Sequence, residues 1–443
     1  MSPLEGSRPA LGGHRIAVIG GGISGAAAAW LLGRHYDVTL FEAADRLGGH
    51  ANTVDLDVDD GRVPVDTGFI VYNETNYPHF TALLDHLNVA SRASEMSFSV
   101  SLEGGDYEYS GSGLGGLFGQ RRNLLRPGHW RMLGEIVRFY TQARKMAAQD
   151  GLSGMTLEQL LVECGCSAWM RSRHILPMTA AIWSAPVERI LGFPAESFLR
   201  FFENHGLFRL RGRPRWRTIA GGSRSYVAAL NADFRGRTRL GRPVTAIART
   251  ADGVWLAREN AGAERFDAAV IATPADTALA MLEAPSDRER SLLSAFGYEA
   301  NHVVLHRDPG FMPRRRRCWA SWNYLAGGTP DDRKLHLSYW MNRLQPLATR
   351  QDLFVTLNPQ CEPEDILFET RYRHPQYSAD ALAAQRRLGE IQGEGGLWYC
   401  GAHFGDGFHE DGLASAIAVA RAFGVAPPWE NGTHSVRQKW ETA

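Results

Sequence analysis

The stretch RIAVIGGGISGAAAAWLLGRHYDVTLFEAADRLGG, residues Arg15–Gly49, decides the fold of this 443-residue chain. Its first part, Arg15–Ile19, is a short apolar run, and a Gly-x-Gly-x-x-Gly sequence follows it directly. Residues Ala26–Gly33 are good helix formers, and Asp37–Phe41 alternates like a second buried strand that ends on an acid, Glu42. Strand, turn, helix and strand in this order predict a βαβ unit of about 30 residues. The sequence therefore predicts an α/β, dinucleotide-binding domain.

Each glycine of the motif has a separate physical reason in such a unit. Gly20 allows the tight turn, Gly22 lets phosphates approach the backbone, and Gly25 lets helix and strand pack closely. The N-terminus of the helix then faces a pyrophosphate group. With one nucleotide motif followed by an acid, NAD and FAD both remain possible cofactors.

Composition and charge exclude several other classes of protein. The chain carries 48 basic and 48 acidic residues, so its total charge gives no argument for nucleic-acid binding. Its five cysteines include no pair at zinc-site spacing, and no metal site is predicted. Their odd number argues against a disulfide framework and fits a reducing cytosol. The apolar stretch Ile16–Leu32 is shorter than the ~20 residues that a membrane span needs, so we expect a cytoplasmic protein.

The organisation of the chain indicates two interleaved domains. Helical patterns fill most of residues 128–203, alternating strand patterns fill 301–373, and an α/β signal returns near the end. We predict a discontinuous cofactor domain and a substrate domain grown out of it. The cofactor domain takes residues 14–95, 215–290 and 395–425, the substrate domain takes 96–214 and 291–394, and 426–443 form a flexible tail.

From IGGGISG through FEAADRLGG, the sequence resembles the start of the amine-oxidase, phytoene-desaturase and protoporphyrinogen-oxidase superfamily of FAD enzymes. Further stretches extend the resemblance, namely VDTGFIVYN from Val65, PVTAI from Pro243, VIATPAD from Val270 and GFHEDGLASA from Gly407. The resemblance implies FAD as the cofactor. It also implies a Rossmann-like FAD-binding domain of the amine-oxidase type with an inserted α+β substrate domain.

The resemblance assigns roles to individual residues. It places Glu42 on the adenosine ribose and Arg46 by the phosphates, and it brings the backbone amides of Gly412 and Leu413 to the pyrimidine edge of the flavin. Two residues depart from the pattern: Asp411, which we expect to cap the last helix, and His50. The implied cofactor-binding residues are Gly20, Gly22, Ile23, Ser24, Gly25, Glu42, Ala43, Arg46, Leu47, Gly48, Gly49, Gly68, Phe69, Ile70, Val244, Thr273, Pro274, Gly401, Glu410, Asp411, Gly412 and Leu413.

Four longer phrases are similar to a bacterial set of FAD oxidoreductases that is encoded beside cyclopropane-fatty-acid-synthase-like methyltransferases. They are FFENHGLFRLRGRPRWRTIAGGSRSYV, WASWNYLAGG, YWMNRLQPL and CGAHFGDGFHEDG. This similarity implies a fatty acyl or phospholipid substrate and a methyltransferase as a partner. We expect desaturation of an unsaturated or methyl-branched acyl chain, with Tyr72, Trp216 and His409 as candidate catalytic residues.

Three other functions stay open: a flavin-dependent double-bond isomerase of fatty acids, an amine oxidase, and a non-catalytic FAD-binding partner of the methyltransferase. No second glycine fingerprint is visible, which argues against a dedicated NADPH domain. An amine oxidase of this superfamily is expected to hold a water on a lysine near the flavin. Lys334 is the only internal candidate after the helical region, and this scarcity weakens the amine-oxidase hypothesis.

Arginines cluster in three places, although the chain is neutral overall. Residues 121–145 carry seven basic side chains and one acid, Arg314–Arg317 form a run, and arginines occupy alternate positions from Arg209 to Arg217. In a strand, such alternation would place the last set on one face. We expect either solvated surface or docking to anionic headgroups at the inner face of the membrane.

Overall fold

The computed structural model describes residues 13–147, 154–183, 187–209, 212–259, 261–327 and 334–430. Strands within these ranges are, in chain order, β1 (Arg15–Ile19), β2 (Asp37–Phe41), β3 (Thr53–Val58), β4 (Gly61–Asp66), β5 (Tyr72–Asn73), β6 (Ser91–Ala93), β7 (Phe98–Leu102), β8 (Tyr107–Ser110), β9 (Trp216–Ile219), β10 (Arg237–Arg239), β11 (Val244–Thr250), β12 (Gly253–Arg258), β13 (Ala261–Phe266), β14 (Ala268–Ile271), β15 (Gly297–His306), β16 (Trp322–Gly327), β17 (Lys334–Trp340), β18 (Phe354–Leu357), β19 (Ile366–Gln376) and β20 (Leu397–Tyr399).

The α-helices of the same ranges follow in chain order. They are α1 (Ile23–Leu32), α2 (Pro78–His86), α3 (Gly113–Leu117), α4 (Pro127–Ala147), α5 (Leu157–Glu163), α6 (Ala168–Met170), α7 (Leu176–Trp183), α8 (Val187–Leu191), α9 (Ala195–Asn204), α10 (Arg224–Asp233), α11 (Ala275–Met281), α12 (Asp287–Leu293), α13 (Met341–Leu344), α14 (Ala379–Gln385) and α15 (His409–Ala422). A π-helical turn, Arg171–Ile175, joins α6 to α7. Of the helices described, none is long and apolar enough to cross a bilayer.

A five-stranded sheet in the order β10-β2-β1-β14-β20 lies at the centre of the nucleotide-binding half. All its neighbouring strands run parallel, with Ile16 opposite Val38 on one side and Ala268 on the other. The carboxyl ends of these strands meet at one edge, where open parallel sheets bind their ligands. The structure thus confirms an α/β fold of the Rossmann type.

The other half of the molecule is built on a seven-stranded sheet in the order β19-β15-β18-β17-β16-β7-β8. Most of its pairs are antiparallel, but β16 and β7 run parallel. Helices α4–α9 bury a second core against the β7–β8 edge, with Phe139, Phe198 and Phe202 at its centre. Strands from two distant parts of the chain therefore form one sheet, which is the mixed α+β organisation expected for the inserted domain.

Close packing of α1 on β1 explains why the first glycine motif is so rich in small residues. All ten residues of α1 are buried, and a β-carbon on Gly25 would overlap the carbonyl oxygen of Gly20. Gly20 itself has a φ of +103°, a conformation that residues with side chains avoid. The helix begins at Ile23, three residues before the start expected from helix propensity, because the glycines at its first turn are held by tertiary packing.

The arginines from Arg209 to Arg217 do not lie together in one strand. Strand β9 begins only at Trp216, so Arg209, Arg213 and Arg215 lie outside it, and Arg211 lies outside the described residues. Gly212 has a left-handed φ of +68°, and Pro214 lacks the N–H that a strand would donate. The alternating arginines therefore share no strand face.

Two glycine-to-alanine substitutions should change stability in opposite directions. Gly25→Ala forces a methyl group against the backbone of Gly20, and overpacking of this kind costs typically about 1–3 kcal/mol. Gly134→Ala, on the exposed side of α4 with open space around it, should stabilise the fold by about 0.5–1 kcal/mol. Urea unfolding of the flavin-free proteins measures both. Equal effects of the two substitutions would contradict the close-packing argument.

Candidate cofactor and active site

The turn from β1 into α1 presents an open, electropositive helix end. Gly22 is the N-cap of α1, no side chain caps the helix, and its first turn contains no acid. A β-carbon on Gly22 would meet no atom within 4 Å, so space lies in front of this turn. Unpaired N–H groups and the helix dipole make such an end suitable for a phosphate. Ile23 and Ser24 are the first residues of this turn.

Glu42 directs its carboxylate at the same turn. Its Oε2 accepts a hydrogen bond from the Gly21 N–H at 2.5 Å, and its Oε1 accepts one from the Ala44 N–H at 2.8 Å. The carboxylate thus lies between the glycine turn and the residues that follow β2, Ala43 among them. A ribose beside the glycine turn would find its hydrogen-bond acceptor here.

The segment from Arg46 to Gly49, with the sequence Arg-Leu-Gly-Gly, packs directly on the glycine turn. Gly48 donates its N–H to the Gly21 carbonyl at 2.8 Å and pairs with Gly22 in an isolated parallel bridge. The guanidinium of Arg46 donates to the carbonyls of Leu47, Gly49 and Ala51 at 3.0–3.3 Å. Arg46 therefore holds the shape of its own loop, and its role at the phosphates stays a prediction.

Other predicted cofactor residues lie along the carboxyl edge of the central sheet. Thr273 and Pro274 follow β14, and Pro274 is the N-cap of α11. Gly401 follows β20 and exchanges hydrogen bonds with Ser415 of α15. Val244 is not at this edge: it opens β11, in a separate three-stranded sheet, and is 8% exposed. The uncapped helix, the carboxylate and the open space at Gly22 fit the dinucleotide part of FAD.

The sequence led us to expect that the backbone amides of Gly412 and Leu413, at the start of α15, face the flavin. The structure gives these two amides another role. The Gly412 N–H donates to the Phe408 carbonyl at 3.1 Å, and Leu413 lies one residue further into the helix. Neither amide is free for a flavin, because only the first three N–H groups of the helix precede its first internal bond. Gly412 serves packing instead: a β-carbon there would lie 2.7 Å from the Ser24 hydroxyl of α1. Phe408 is the N-cap, so His409, Glu410 and Asp411 form the first turn of α15.

The two acids in this turn have separate structural tasks. Asp411 accepts a hydrogen bond from the Phe408 N–H at 2.9 Å, so it caps the helix from its third position and not from the N-cap itself. Glu410 accepts the N–H groups of His79 and Phe80, both at 2.9 Å. Its buried carboxylate thereby caps α2 and ties the starts of α2 and α15 together.

His409 lies in a cluster of aromatic rings. Its ring stacks on Phe69 with centroids 3.8 Å apart, and its Nε2 lies 2.6 Å from the Tyr226 hydroxyl. Phe80 makes edge contacts with both His409 and Tyr72, at 5.3 and 5.2 Å. Burial lowers the pKa of His409 to about 3, so the ring is neutral at ordinary pH.

The structure brings two of the three catalytic candidates together. Tyr72 reaches His409 through Phe80, whereas Trp216 lies opposite Asn73 in the β5–β9 pair. Within the described residues, Trp216 makes no ring contact with the cluster. Gly68 and Ile70 flank Phe69, and the Phe69 N–H donates to the His50 carbonyl at 2.8 Å.

A second ring cluster adjoins the first and was not predicted. His50 stacks on Tyr372 at 5.0 Å and lies 5.4 Å from His374. The Tyr372 hydroxyl is bonded to Asn52 and Thr67, both at 2.9 Å. Burial lowers the pKa of His374 to about 3 and also lowers the pKa of His50. His50 departs from the pattern of the resembling family, and this departure marked the position as unusual. Nothing in the sequence linked it to β19, which carries Tyr372 and His374.

A buried carboxylate holds the segments around these clusters. Asp66 accepts hydrogen bonds from Thr53, from Ser223 at the start of α10 and from Gln345 after α13, at 2.5–3.1 Å. Burial raises its pKa to about 6 in spite of these donors. Asp66 thereby joins β4 to both halves of the molecule.

Comparison with known proteins agrees with this geometry. The family model of the flavin containing amine oxidoreductases matches residues 23–339. Among solved structures, cyclohexylamine oxidase from Brevibacterium oxydans IH-35A superposes with a TM-score of 0.68 at 17% identity, covering 93% of this chain and 98% of that one. A CLA-producing fatty acid isomerase from P. acnes gives 0.64 at 16% identity, with 92% and 98% covered. A putative protoporphyrinogen oxidase from Exiguobacterium sp. 255-15 gives 0.64 at 17% identity, with the same coverage.

The structural likenesses, at such low identity, show a shared fold, and the family match covers well over half of the chain. The cofactor of this protein is FAD, and the uncapped start of α1 and the carboxylate of Glu42 fit this cofactor. The chain belongs to the flavin containing amine oxidoreductase family.

Proposed function

We propose that this oxidoreductase desaturates a fatty acyl chain that already carries a double bond or a methyl branch. One observation carries the proposal: the rings around His409 and His50 form an uncharged, aromatic site. The imidazoles of His409 and His374 are held neutral, and the nearby carboxylates Asp66 and Glu410 are occupied by hydrogen bonds. Such surroundings suit an apolar substrate better than an ammonium ion, which needs a partner when desolvated.

The chemistry divides between the cofactor and the chain. When bound, FAD supplies the acceptor for the hydride that leaves the acyl chain, and an external acceptor such as oxygen removes these electrons afterwards. The aromatic rings of Phe69, Phe80 and Tyr72 exclude water around the reacting carbons. As the acceptor of the neighbouring proton we propose His409, whose neutral ring is hydrogen-bonded to the Tyr226 hydroxyl.

The runner-up is a double-bond isomerase of fatty acids. The CLA-producing fatty acid isomerase from P. acnes shares the fold over nearly its whole length. In that case the same hydride returns to the acyl chain and the reaction is redox-neutral. An amine oxidase is the third candidate, since cyclohexylamine oxidase has the same fold. The resemblance to oxidoreductases encoded beside methyltransferases favours a cytoplasmic enzyme whose methyl-branched substrate comes from such a partner.

Removal of the Glu42 carboxylate should weaken FAD binding. A hydrogen bond from the ribose to a charged group contributes about 1.5–3 kcal/mol, so Glu42→Ala should raise the Kd for FAD roughly 10- to 150-fold. Asp45→Ala removes an exposed acid three residues away and is the matched control. Flavin fluorescence titration of the apoprotein measures both. An unchanged Kd for Glu42→Ala would remove this residue from the cofactor site.

The reaction itself is tested by anaerobic mixing. A methyl-branched, monounsaturated acyl lipid should bleach the absorbance of the oxidised flavin, and oxygen should restore it, while simple amines leave the spectrum unchanged. Mass spectrometry should find a product that has lost two hydrogens. A product isomeric with the substrate, without net bleaching, would assign the isomerase, and bleaching by an amine alone would assign the amine oxidase.

The buried imidazoles also predict how stability depends on pH. The pKa of His409 is lowered in the folded state, so the unfolded chain binds this proton more strongly and stability falls as the pH drops below about 6.5. His409→Gln should reduce the slope of unfolding free energy against pH, between about 6.5 and 4, by up to ~1.4 kcal/mol per unit.

His174 provides the matched control for this measurement. It lies between the hydroxyls of Tyr109 and Tyr140, and burial lowers its pKa to about 3 as well. His174→Gln should lose the same slope but keep substrate-linked bleaching, whereas His409→Gln should slow the bleaching too. Full bleaching rates in His409→Gln would remove His409 from the reaction.

A further inference from the structure

Ion pairs take up part of the charge in two of the three arginine clusters. Arg315 pairs with the buried Glu108 at 2.8 Å and Arg316 pairs with Asp352 at 2.9 Å. In the other cluster, Arg209 pairs with Glu203 at 3.3 Å and Arg217 with Glu74 at 3.6 Å. These four arginines serve the fold, and large exposed apolar side chains beside a basic cluster narrow the search for a docking surface to residues 121–145.

Large apolar side chains stand exposed in and beside that third cluster. Phe118 and Trp130 have ring centroids 4.9 Å apart, and the Trp130 indole donates to the Leu124 carbonyl at 3.0 Å. These contacts hold α3, the turn before α4 and the first turn of α4 together. We call the resulting surface the α3–α4 face, and its exposed apolar residues, with their exposed fractions, are Leu114 (76%), Leu124 (50%), Leu125 (86%), Trp130 (51%) and Val137 (50%).

The charges on the α3–α4 face are predominantly basic. Three carboxylates pair with four of its seven basic side chains: Asp106 with Arg122 and Arg126, Glu135 with Arg131, and Glu203 with Arg144. In the described part of the chain, Arg121, Arg138 and Lys145 have no carboxylate partner. Glu135, the one acid within residues 121–145, is only 4% exposed. The outer surface of α4 is therefore basic and partly apolar.

We propose that the α3–α4 face docks on an anionic lipid surface. Leucine, valine and tryptophan side chains enter the boundary between headgroups and acyl chains, while arginine and lysine remain with the phosphates. A cavity of about 420 Å³ next to Leu125 is lined by two acids, Glu103 and Asp106, as well as by two arginines, so the proposal rests on the outer surface of α4 and not on this cavity. The proposal extends the proposed function by naming the surface that meets the lipid, but it does not require that reaction.

A second copy of the chain is the competing occupant, and charge argues against it. A two-fold symmetric dimer through this face would bring the same basic residues of both copies together. Like charges across an interface are unfavourable, whereas an anionic bilayer complements them. A lipid surface therefore matches both the apolar and the basic parts of the face.

The test is flotation of the FAD-loaded protein with vesicles of fully saturated phosphatidylglycerol and phosphatidylcholine. Saturated chains give the proposed reaction no substrate, so docking is measured separately from catalysis. The wild type should float with anionic vesicles. L124S/L125S should bind roughly tenfold more weakly or worse, because two exposed leucines lose their burial in the bilayer. R121E/R138E should weaken binding to anionic vesicles and flatten its dependence on salt.

Matched controls change similar residues elsewhere. Ile366→Ser removes an exposed apolar side chain from β19, at the far edge of the seven-stranded sheet, and Arg235→Glu reverses an exposed charge between α10 and β10. Both should float like the wild type, and flavin content and melting temperature check the folding of all variants. Flotation of L124S/L125S equal to the wild type would overturn the proposal. So would a wild-type dimer in sedimentation that L124S/L125S converts to monomer without any wild-type vesicle binding.

Discussion

The contact between Gly25 and Gly20 is the constraint on which the rest of the structure depends. No side chain fits between the first turn of α1 and the end of β1, so the helix lies directly on the central sheet. Because α1 is buried on every side, strands β1, β2 and β14 and helix α15 can close around it. The same contact directs the uncapped N-terminus of α1 at the edge where the strands end. Cofactor binding thus follows from a packing constraint.

The N-termini of α1, α2 and α15 lie at this edge, and two acids of the site cap the starts of α2 and α15 but not that of α1. Gly412 brings the start of α15 against Ser24 at the start of α1, and Glu410 ties the same turn to the start of α2. The acids therefore neutralise the starts of α2 and α15, while α1 keeps its positive end free. A dinucleotide carries its negative charge at the pyrophosphate, which is the position that the uncapped helix favours. The rings of Phe69, Tyr226 and His409 then form an uncharged region beyond it.

Charge neutrality of the whole chain hides an uneven distribution. Pairs such as Arg315 with Glu108 are partly or fully inside the protein and contribute to the fold more than to any surface potential. The face formed by α3, α4 and the turn between them keeps unpaired basic groups beside exposed leucine and tryptophan. Net charge alone therefore says little about what such a protein contacts, because the sequence does not show which arginines are paired with acids.

The sequence by itself determined the βαβ unit and the α/β fold, and its resemblance to a family of FAD enzymes implied the flavin cofactor. The unit and the fold follow from local order: Gly20, Gly22 and Gly25 at fixed spacing, and Glu42 at the end of a strand. Only the tertiary structure decided where α15 begins, because Phe408 rather than Asp411 proved to be the N-cap. It also brought His50 into contact with Tyr372 and His374, which are more than 300 positions away in the sequence. Gly212 and Pro214 keep the alternating arginines from forming one strand. Local patterns report the backbone, whereas the partners of a side chain depend on long-range packing that no spacing encodes.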